Sequence, residues 1–499
     1  MSMSETDAHL LVFPYPAQGH MIPLLDLTHQ LAIRGVTITI LVTPSNLPLL
    51  EPLLSAHPSI NTLVLPFPSH PAIPPGVENV KDLPPNSFRA MMLSLAQLHE
   101  PLLRWFRSHP SPPVAIISDM FLGWTHRLAC ELGIRRLVFS PSGAMALSVI
   151  YSLWRYLPMR QKQNSREEDG QDEIVSFPKI PGSPKYHWWQ LSPVYRSFVE
   201  NKVDPDSEFI KDGFLADMES WGLVINSFDE LERVYLEHLK KEMGHDRVWA
   251  VGPLHQFQDD EEICGSKQRG GSSSVKVEQI SSWLDTRDDH EVVYVCFGSQ
   301  ARLPTDIMEK LAFGLEKSGV HFIWAVKEPI NGHVDSTVPP GFEDRAAGKG
   351  LVIRGWAPQV PILSHRAVGA FLTHCGWNST LEGIVAGVPL LAWPMSADQF
   401  SNATLLVEEL KVATRVGDGS RVVPDSDELA RVLADSISEN RVIRERVAEL
   451  GRAAMEAIKE GGSSIVGLQS MHSTLATLVS PRNTFKFSGN EENESSLID

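Results

Sequence analysis

Cysteine is scarce in this sequence, and positive charge is nowhere gathered into a cluster. The four cysteines of the 499 residues, Cys130, Cys264, Cys296 and Cys375, show no paired spacing. A disulfide framework is therefore excluded and a reducing compartment expected, with Cys296 packing as a small hydrophobe inside an apolar run. Formal charge is −17, and no Lys/Arg run offsets it. Such a field repels nucleic acid and anionic membrane surfaces, so neither is an expected partner. A diphosphate stays open, because helix N-termini and backbone N–H groups bind anions without adding formal charge.

Other signatures are absent too. The N-terminal MSMSETDAH carries acidic residues where a signal peptide has basic ones, and the following LLVFPYP is short and broken by proline. A cytoplasmic protein without a membrane span is expected, and the sequon Asn378-Ser379-Thr380 is read as unmodified. There is no G-x-G-x-x-G after the first apolar run, no G-x-x-x-x-G-K-[ST] and no G-x-S-x-G, which weakens nicotinamide-dependent oxidoreductase, P-loop and serine-hydrolase readings. No H-E-x-x-H or paired Cys/His spacing points to a metal, and His365 and His374 fall on different elements.

What is present is a rhythm. Apolar, β-branched runs at 10–16, 37–42, 114–118, 136–140 and 222–226 alternate with helical patterns, as in a parallel sheet covered by helices. Phe88, Met91, Met92, Leu95, Leu98 and Leu102 mark one amphipathic crossover helix. The rhythm restarts at 292–299 and runs through 321–326, 351–356, 369–374 and 389–394. Two Rossmann-like domains are expected, at 1–253 and 280–480, joined by a charged, Gly/Ser-rich linker at 254–279. A polar insertion at 161–173 and a frayed tail at 481–499 complete the chain, and a last helix from the 427–478 stretch is a candidate to cross back onto the first half.

Ligands of open α/β sheets bind beyond the carboxyl ends of the strands. After the first strand stands His20, at a corner near a helix start, and after 114–118 stands Asp119. If those strands are neighbours, the carboxylate fixes the imidazole tautomer and leaves the other nitrogen to take a proton from a substrate hydroxyl. The alternative is that each caps local backbone. In the second half, His374, Gly376, Asn378, Ser379 and Thr380 at a strand-to-helix junction suit a diphosphate, and Glu382 one turn on suits a ribose diol. Gly298-Ser299, Trp356 with a face to stack on a base, and Asp398-Gln399 point to the same cleft.

From Trp356 to Gln399 the chain reads WAPQVPILSHRAVGAFLTHCGWNSTLEGIVAGVPLLAWPMSADQ, which resembles the signature box of plant secondary-product glycosyltransferases over its full length. PAQGHMIP, SDMFLGW and VCFGS extend the resemblance over nearly the whole chain. The resemblance implies the α/β GT-B fold, two Rossmann-like domains facing each other across a cleft, of the family 1 UDP-sugar transferases. It implies Trp356 stacking on uracil and Ala357 bonding the base through its backbone. Gln359 and Glu382 would meet the ribose; His374, Asn378 and Ser379 the diphosphate, with Ser299 and the glycines Gly19 and Gly376 close by; Trp377 and Asp398 the sugar. Gln399 resembles the form usual in glucose users. His20 becomes the general base and Asp119 its partner.

An inverting transfer of glucose from UDP-glucose to a hydroxyl or carboxyl of a small hydrophobic acceptor follows, most like the members acting on flavonols and small phenolics, with another UDP-sugar (xylose, rhamnose or galactose) or a terpenoid or steroid acceptor as the alternative. No cofactor or metal is expected, and a monomer is. A catalytically silent UDP-sugar binder is the rival from another class, opposed by the intact His20 and Asp119. Phe13, Phe121, Met145, Trp188 and Trp189 are expected to line the acceptor cleft.

Overall fold

The computed structural model describes residues 8–84, 87–162, 173–200, 204–254, 273–327, 337–438 and 441–478. Two parallel sheets organise them. The first comprises β1 (His9–Phe13), β2 (Thr37–Val42), β3 (Asn61–Val64), β4 (Ala115–Asp119) and β5 (Arg135–Ser140). A small antiparallel sheet intervenes, built from β6 (Gln161–Lys162), β7 (Glu173–Ser176) and β8 (Lys185–His187), before β9 (Gly222–Ile225) and β10 (Val248–Ala250) complete the first. Its order is β10-β9-β5-β4-β1-β2-β3, and every pairing is parallel.

The second sheet holds β11 (Val292–Cys296), β12 (His321–Val326), β13 (Gly350–Arg354), β14 (Val368–Thr373), β15 (Leu390–Ala392) and β16 (Ala413–Arg415), in the order β13-β12-β11-β14-β15-β16. Central strands such as β1, β4 and β14 are buried along their whole length, which explains their unbroken apolar runs: helices cover both faces. In both sheets the first strand lies beside a strand from beyond its neighbour, β1 beside β4 and β11 beside β14. The loops after those strand pairs therefore open on one side, which is where a ligand cleft forms.

Three local expectations are modified. The crossover expected as one helix is two, Phe88–Ala96 and His99–Ser108. Pro101 has no N–H to give to the carbonyl of Gln97 and its ring would crowd that carbonyl, so the break falls there. Of the expected linker, residues 255–272 lie outside the described residues, while the helix Val277–Asp285 already begins within it. The expected insertion and tail fall largely or wholly outside the described residues as well, although Gln161–Lys162 and Glu173–Ser176 pair as strands. The last helix, Ser463–Ala476, does pack back on the first sheet: Leu468, Met471 and Leu475 join its core, and Trp249 Nε1 donates to Ser470 Oγ at 3.3 Å.

Among the described residues no helix is long and apolar enough to cross a membrane. Cys130, Cys296 and Cys375 are free thiols; Cys264 lies outside the described residues.

Candidate active site

One cavity of about 560 Å³ lies between the two sheets, at the carboxyl ends of their strands. His20 enters it from the first turn of the helix Gln18–Ala32, which follows β1. The register Phe13↔Ser118 sets the end of β4 beside the end of β1, so residues 99 apart in sequence meet. His20 Nδ1–H donates to Asp119 Oδ2 at 2.8 Å, with the His20 side chain 16% exposed and that of Asp119 fully buried. Asp119 Oδ1 meanwhile accepts the Phe121 N–H at 2.9 Å. Both sequence readings of Asp119 are therefore present together, one oxygen capping the turn and the other orienting the imidazole. With Nδ1 protonated, Nε2 of a neutral His20 carries the lone pair.

The opposite wall comes from the second half. Ser299, Trp356, Ala357, Gln359, His374, Gly376, Trp377, Asn378, Ser379, Glu382, Asp398 and Gln399 all line the same cavity as Gly19 and His20 of the first half; Asp119 stands behind His20. Gln359 Nε2 donates to Ser379 Oγ at 2.9 Å and Glu382 Oε2 at 2.5 Å, tying the loop after Trp356 to the helix Trp377–Val385. His374 packs between the loop at Gly298 and the start of that helix. Burial and the Lys327 ammonium push its imidazole down to about 4, so it is neutral near pH 7. Asp398 is held by the side chains of Asn402 and Ser142; burial pushes its carboxyl up, and these bonds and the nearby His20 oppose the rise.

Two of these residues are held by further bonds. The Trp377 indole, 3% exposed, donates through Nε1 to Asn226 O at 2.7 Å. It is committed to the seam between the halves, which leaves its backbone N–H in the first helical turn, not its ring, for a sugar. Gln399 folds its carbonyl back onto the Met395 and Ser396 N–H groups at 2.9 and 3.0 Å, so only its amide NH₂ remains to offer.

A second tie across the seam has its cause in the sequence. Pro23 has no N–H for the carbonyl of Gly19 four residues earlier, and Asn378 Nδ2 from the other half donates to that carbonyl at 3.0 Å instead. The helix start bearing His20 and the helix start expected to hold phosphate are thus in direct contact.

The apolar wall corrects the acceptor expectations. Of the five candidates only Phe121 lines the cavity, its ring 4.7 Å from that of His20. Phe13 and Met145 are core, Trp188 donates to Glu200, and Trp189 packs edge-on against Phe400. The wall is built from the helix Ala144–Tyr156, whose Ala146, Val149, Ile150, Leu153 and Trp154 face the cavity, with Trp154 stacked on Phe214 at 5.2 Å. Helical spacing had the signal. That helix is apolar nearly all round, so one stripe serves the core and a second is left for a ligand.

Lys327 and Arg302 were not foreseen. Both are half-buried at the cavity, and burial together with Arg302 pulls the Lys327 ammonium down to about 8. Lys327 directly follows β12, where the strand-end rule would have found it. Among the described residues there is no group of three His, Cys, Asp or Glu that could hold a metal ion.

Comparison with known proteins bears on this arrangement. Residues 263–423 match the family model described as UDP-glucoronosyl and UDP-glucosyl transferase. UDP-glycosyltransferase 89B2 of Stevia rebaudiana is 61% identical over 95% of this chain and 100% of its own length. This chain belongs to the UDP-glycosyltransferases. A flavonol 3-O-glucosyltransferase, UGT89B1 of Arabidopsis thaliana, is 58% identical over 92% of this transferase and 94% of its own length. The crystal structure of Arabidopsis thaliana UGT89C1 complexed with UDP-L-rhamnose is similar with a TM-score of 0.76 at 43% identity, covering 94% of this chain and 99% of that one. The transferase accordingly has the GT-B fold, with its cavity between the two Rossmann-like units.

Proposed function

We propose that this transferase moves glucose from UDP-glucose to a hydroxyl of a flat phenolic acceptor such as a flavonol, with inversion at the anomeric carbon. The observation that carries the reading is the His20–Asp119 bond opening onto the same cavity as the Trp356–Glu382 wall. UDP lies against that wall, uracil on Trp356 and ribose at Gln359 and Glu382. The diphosphate meets the helix start at Gly376–Ser379, whose N–H groups and dipole favour it. The acceptor lies between Phe121 and the Trp154–Phe214 stack.

His20 Nε2 takes the acceptor O–H proton as that oxygen bonds to the anomeric carbon. The bond from that carbon to the β-phosphate oxygen breaks, and UDP leaves with the electron pair. Asp119 stabilises the imidazolium that forms. The donors around the diphosphate, His374, Ser299 and the helix amides, face the charge that grows on the leaving group. Glucose is favoured by Gln399, and by the 58%-identical relative named as a glucosyltransferase. The 43%-identical structure holding UDP-L-rhamnose keeps rhamnose as the second donor.

The deciding experiment is a grid of UDP-sugars against flavonols, other phenolics and terpenoids, read by mass. A hexosyl increment on a phenolic is expected. A deoxyhexosyl increment would replace glucose by rhamnose, and UDP-sugar binding with no product anywhere would make the protein a silent binder.

Lys327 supplies an independent check on where the diphosphate lies. A bound diphosphate favours the charged ammonium, so binding takes up a proton and affinity belongs to the low-pH side of the Lys327 titration at about 8. The UDP-glucose dissociation constant is expected to hold steady up to that pH and to weaken severalfold by about pH 9.5. In Lys327→Met the steepness of that loss should disappear. Calorimetry of UDP-glucose without acceptor measures both.

A further inference from the structure

Directly behind the His20–Asp119 pair lies a buried ion pair that the transfer reaction does not itself require. Arg136 in β5 and Asp217 near the end of the helix Pro205–Glu219 both have fully buried side chains. Arg136 Nη1 donates to Asp217 Oδ1 at 2.7 Å and to Ser220 Oγ at 2.9 Å. Its Nε donates to Ser118 Oγ at 2.9 Å, and Nη2 to the Asp119 carbonyl at 3.4 Å. One guanidinium thus holds the last two residues of β4, and Ser118 is further bonded to Thr125 at 2.8 Å.

Stability alone does not account for this choice. A buried ion pair is often no more stabilising than apolar side chains of the same volume, so its place at the root of Asp119 asks for another reason. The charges supply one. With His20 neutral, Asp119, Asp217 and Arg136 sum to one negative charge; when His20 takes a proton the group becomes neutral. Among the described residues Asp217 Oδ2 has no hydrogen-bond partner, so part of that carboxylate's field is uncompensated locally, and the Asp119 carboxylate adds to the cost of ionising it.

We propose that Arg136, charge-balanced by Asp217, is a positioning residue for the base pair. The guanidinium fixes the end of β4 that carries Asp119, and the Asp217 carboxylate restores the net negative charge that favours a protonated His20 during transfer. This rests on the reading of His20 as the general base. The other groups around Asp217 and Arg136 are the Tyr151 hydroxyl and His126, which in turn faces Glu219; around His20 they are Tyr15 and Asp398. Burial raises the Asp217 carboxyl while Arg136 works against the rise, so falling pH removes its charge earlier than that of an exposed aspartate.

The test uses the full-length enzyme with UDP-glucose and whichever phenolic the screen returns. Asp217→Asn keeps the shape and an acceptor for Arg136 but removes the charge. It is expected to leave UDP-glucose affinity unchanged and to lower kcat. It should also move the acid side of the kcat–pH profile to lower pH, because one negative charge behind the imidazolium formed during transfer is gone. The double variant Arg136→Met/Asp217→Leu strands no charge and keeps the net charge. Its acid limb should stay where the unaltered enzyme has it, while kcat falls about tenfold or more through the unpinned strand end.

An unmoved pH profile in Asp217→Asn with only a lowered Tm overturns the proposal, and so does loss of folding in both variants, which would assign the pair to holding the fold. His20→Ala run alongside separates the two ideas. If it retains turnover the base reading fails; if it is inactive while the Asp217→Asn profile is unmoved, only the positioning role fails.

Discussion

Replacing His20 by alanine is expected to lower kcat by about 10² to 10⁴ while leaving the dissociation constant for UDP within about twofold. The split follows from where the side chain sits. His20 reaches the cavity from the first half, held by Asp119, whereas the groups that would carry UDP, from Trp356 to Glu382, belong to the second. Removing the imidazole takes away the proposed proton acceptor without touching that wall. The loss corresponds to roughly 3 to 5 kcal/mol of barrier, in the range of general-base assistance. Steady-state rates with a phenolic acceptor, paired with calorimetric UDP binding, measure both halves of the statement. A variant that keeps more than about a tenth of the turnover would remove His20 from the chemistry. A parallel loss of UDP affinity would mean that the Asn378 bond to the Gly19 carbonyl makes the two helix starts one unit.

Gly298→Ala is expected to do the reverse, raising the KM for the donor by about 10- to 100-fold with a smaller effect on kcat. Gly298 has φ of +74°, a backbone that alanine adopts only at a cost of about 1 to 2 kcal/mol. A methyl group there would also stand 2.4 Å from His374 Nε2, well inside contact distance. The imidazole must move, and with it would go the hydrogen bond proposed here to the donor phosphate, worth about 1.5 to 3 kcal/mol for a charged acceptor. Gly376→Ala separates the two causes. Its φ of −60° is ordinary, yet its added carbon would lie 2.5 Å from the same nitrogen. If the donor KM rises in both variants, displacement of His374 is the cause; if only Gly298→Ala suffers, backbone strain is. Unchanged donor kinetics in both would take His374 out of the donor site.

The residues around the cavity show why some of the site was legible and some was not. The cavity wall proposed for the donor reads off one contiguous stretch because its polar groups stand at successive strand ends and one helix start, positions that local pattern reveals. For Trp377 local pattern goes only part of the way. Its place in the stretch fixed its backbone at the helix start, but the direction of its indole depended on Asn226 in the other half. Lys327 was within reach of the strand-end rule, whereas Arg302, on an irregular loop, offered no pattern at all. The apolar wall of the cavity was misassigned because aromatic character alone does not distinguish core from cavity. Phe13 and Trp154 are equally apolar and equally buried, and only the packing of the helix Ala144–Tyr156 across the cleft sets them apart.

By itself the sequence determined the class of fold, the two series of parallel strands, the chemistry at each strand end and the kinship with UDP-glycosyltransferases. These are properties of local period and of contiguous motif. Tertiary structure alone decided which strand ends are neighbours. The meeting of His20 with Asp119, the Asn378 bond to the carbonyl that Pro23 leaves unfilled, and the grip of Arg136 on the end of β4 all depend on strand order and on the seam between the halves. Period tells a residue which face it occupies, and only the packing of distant segments tells it what it faces.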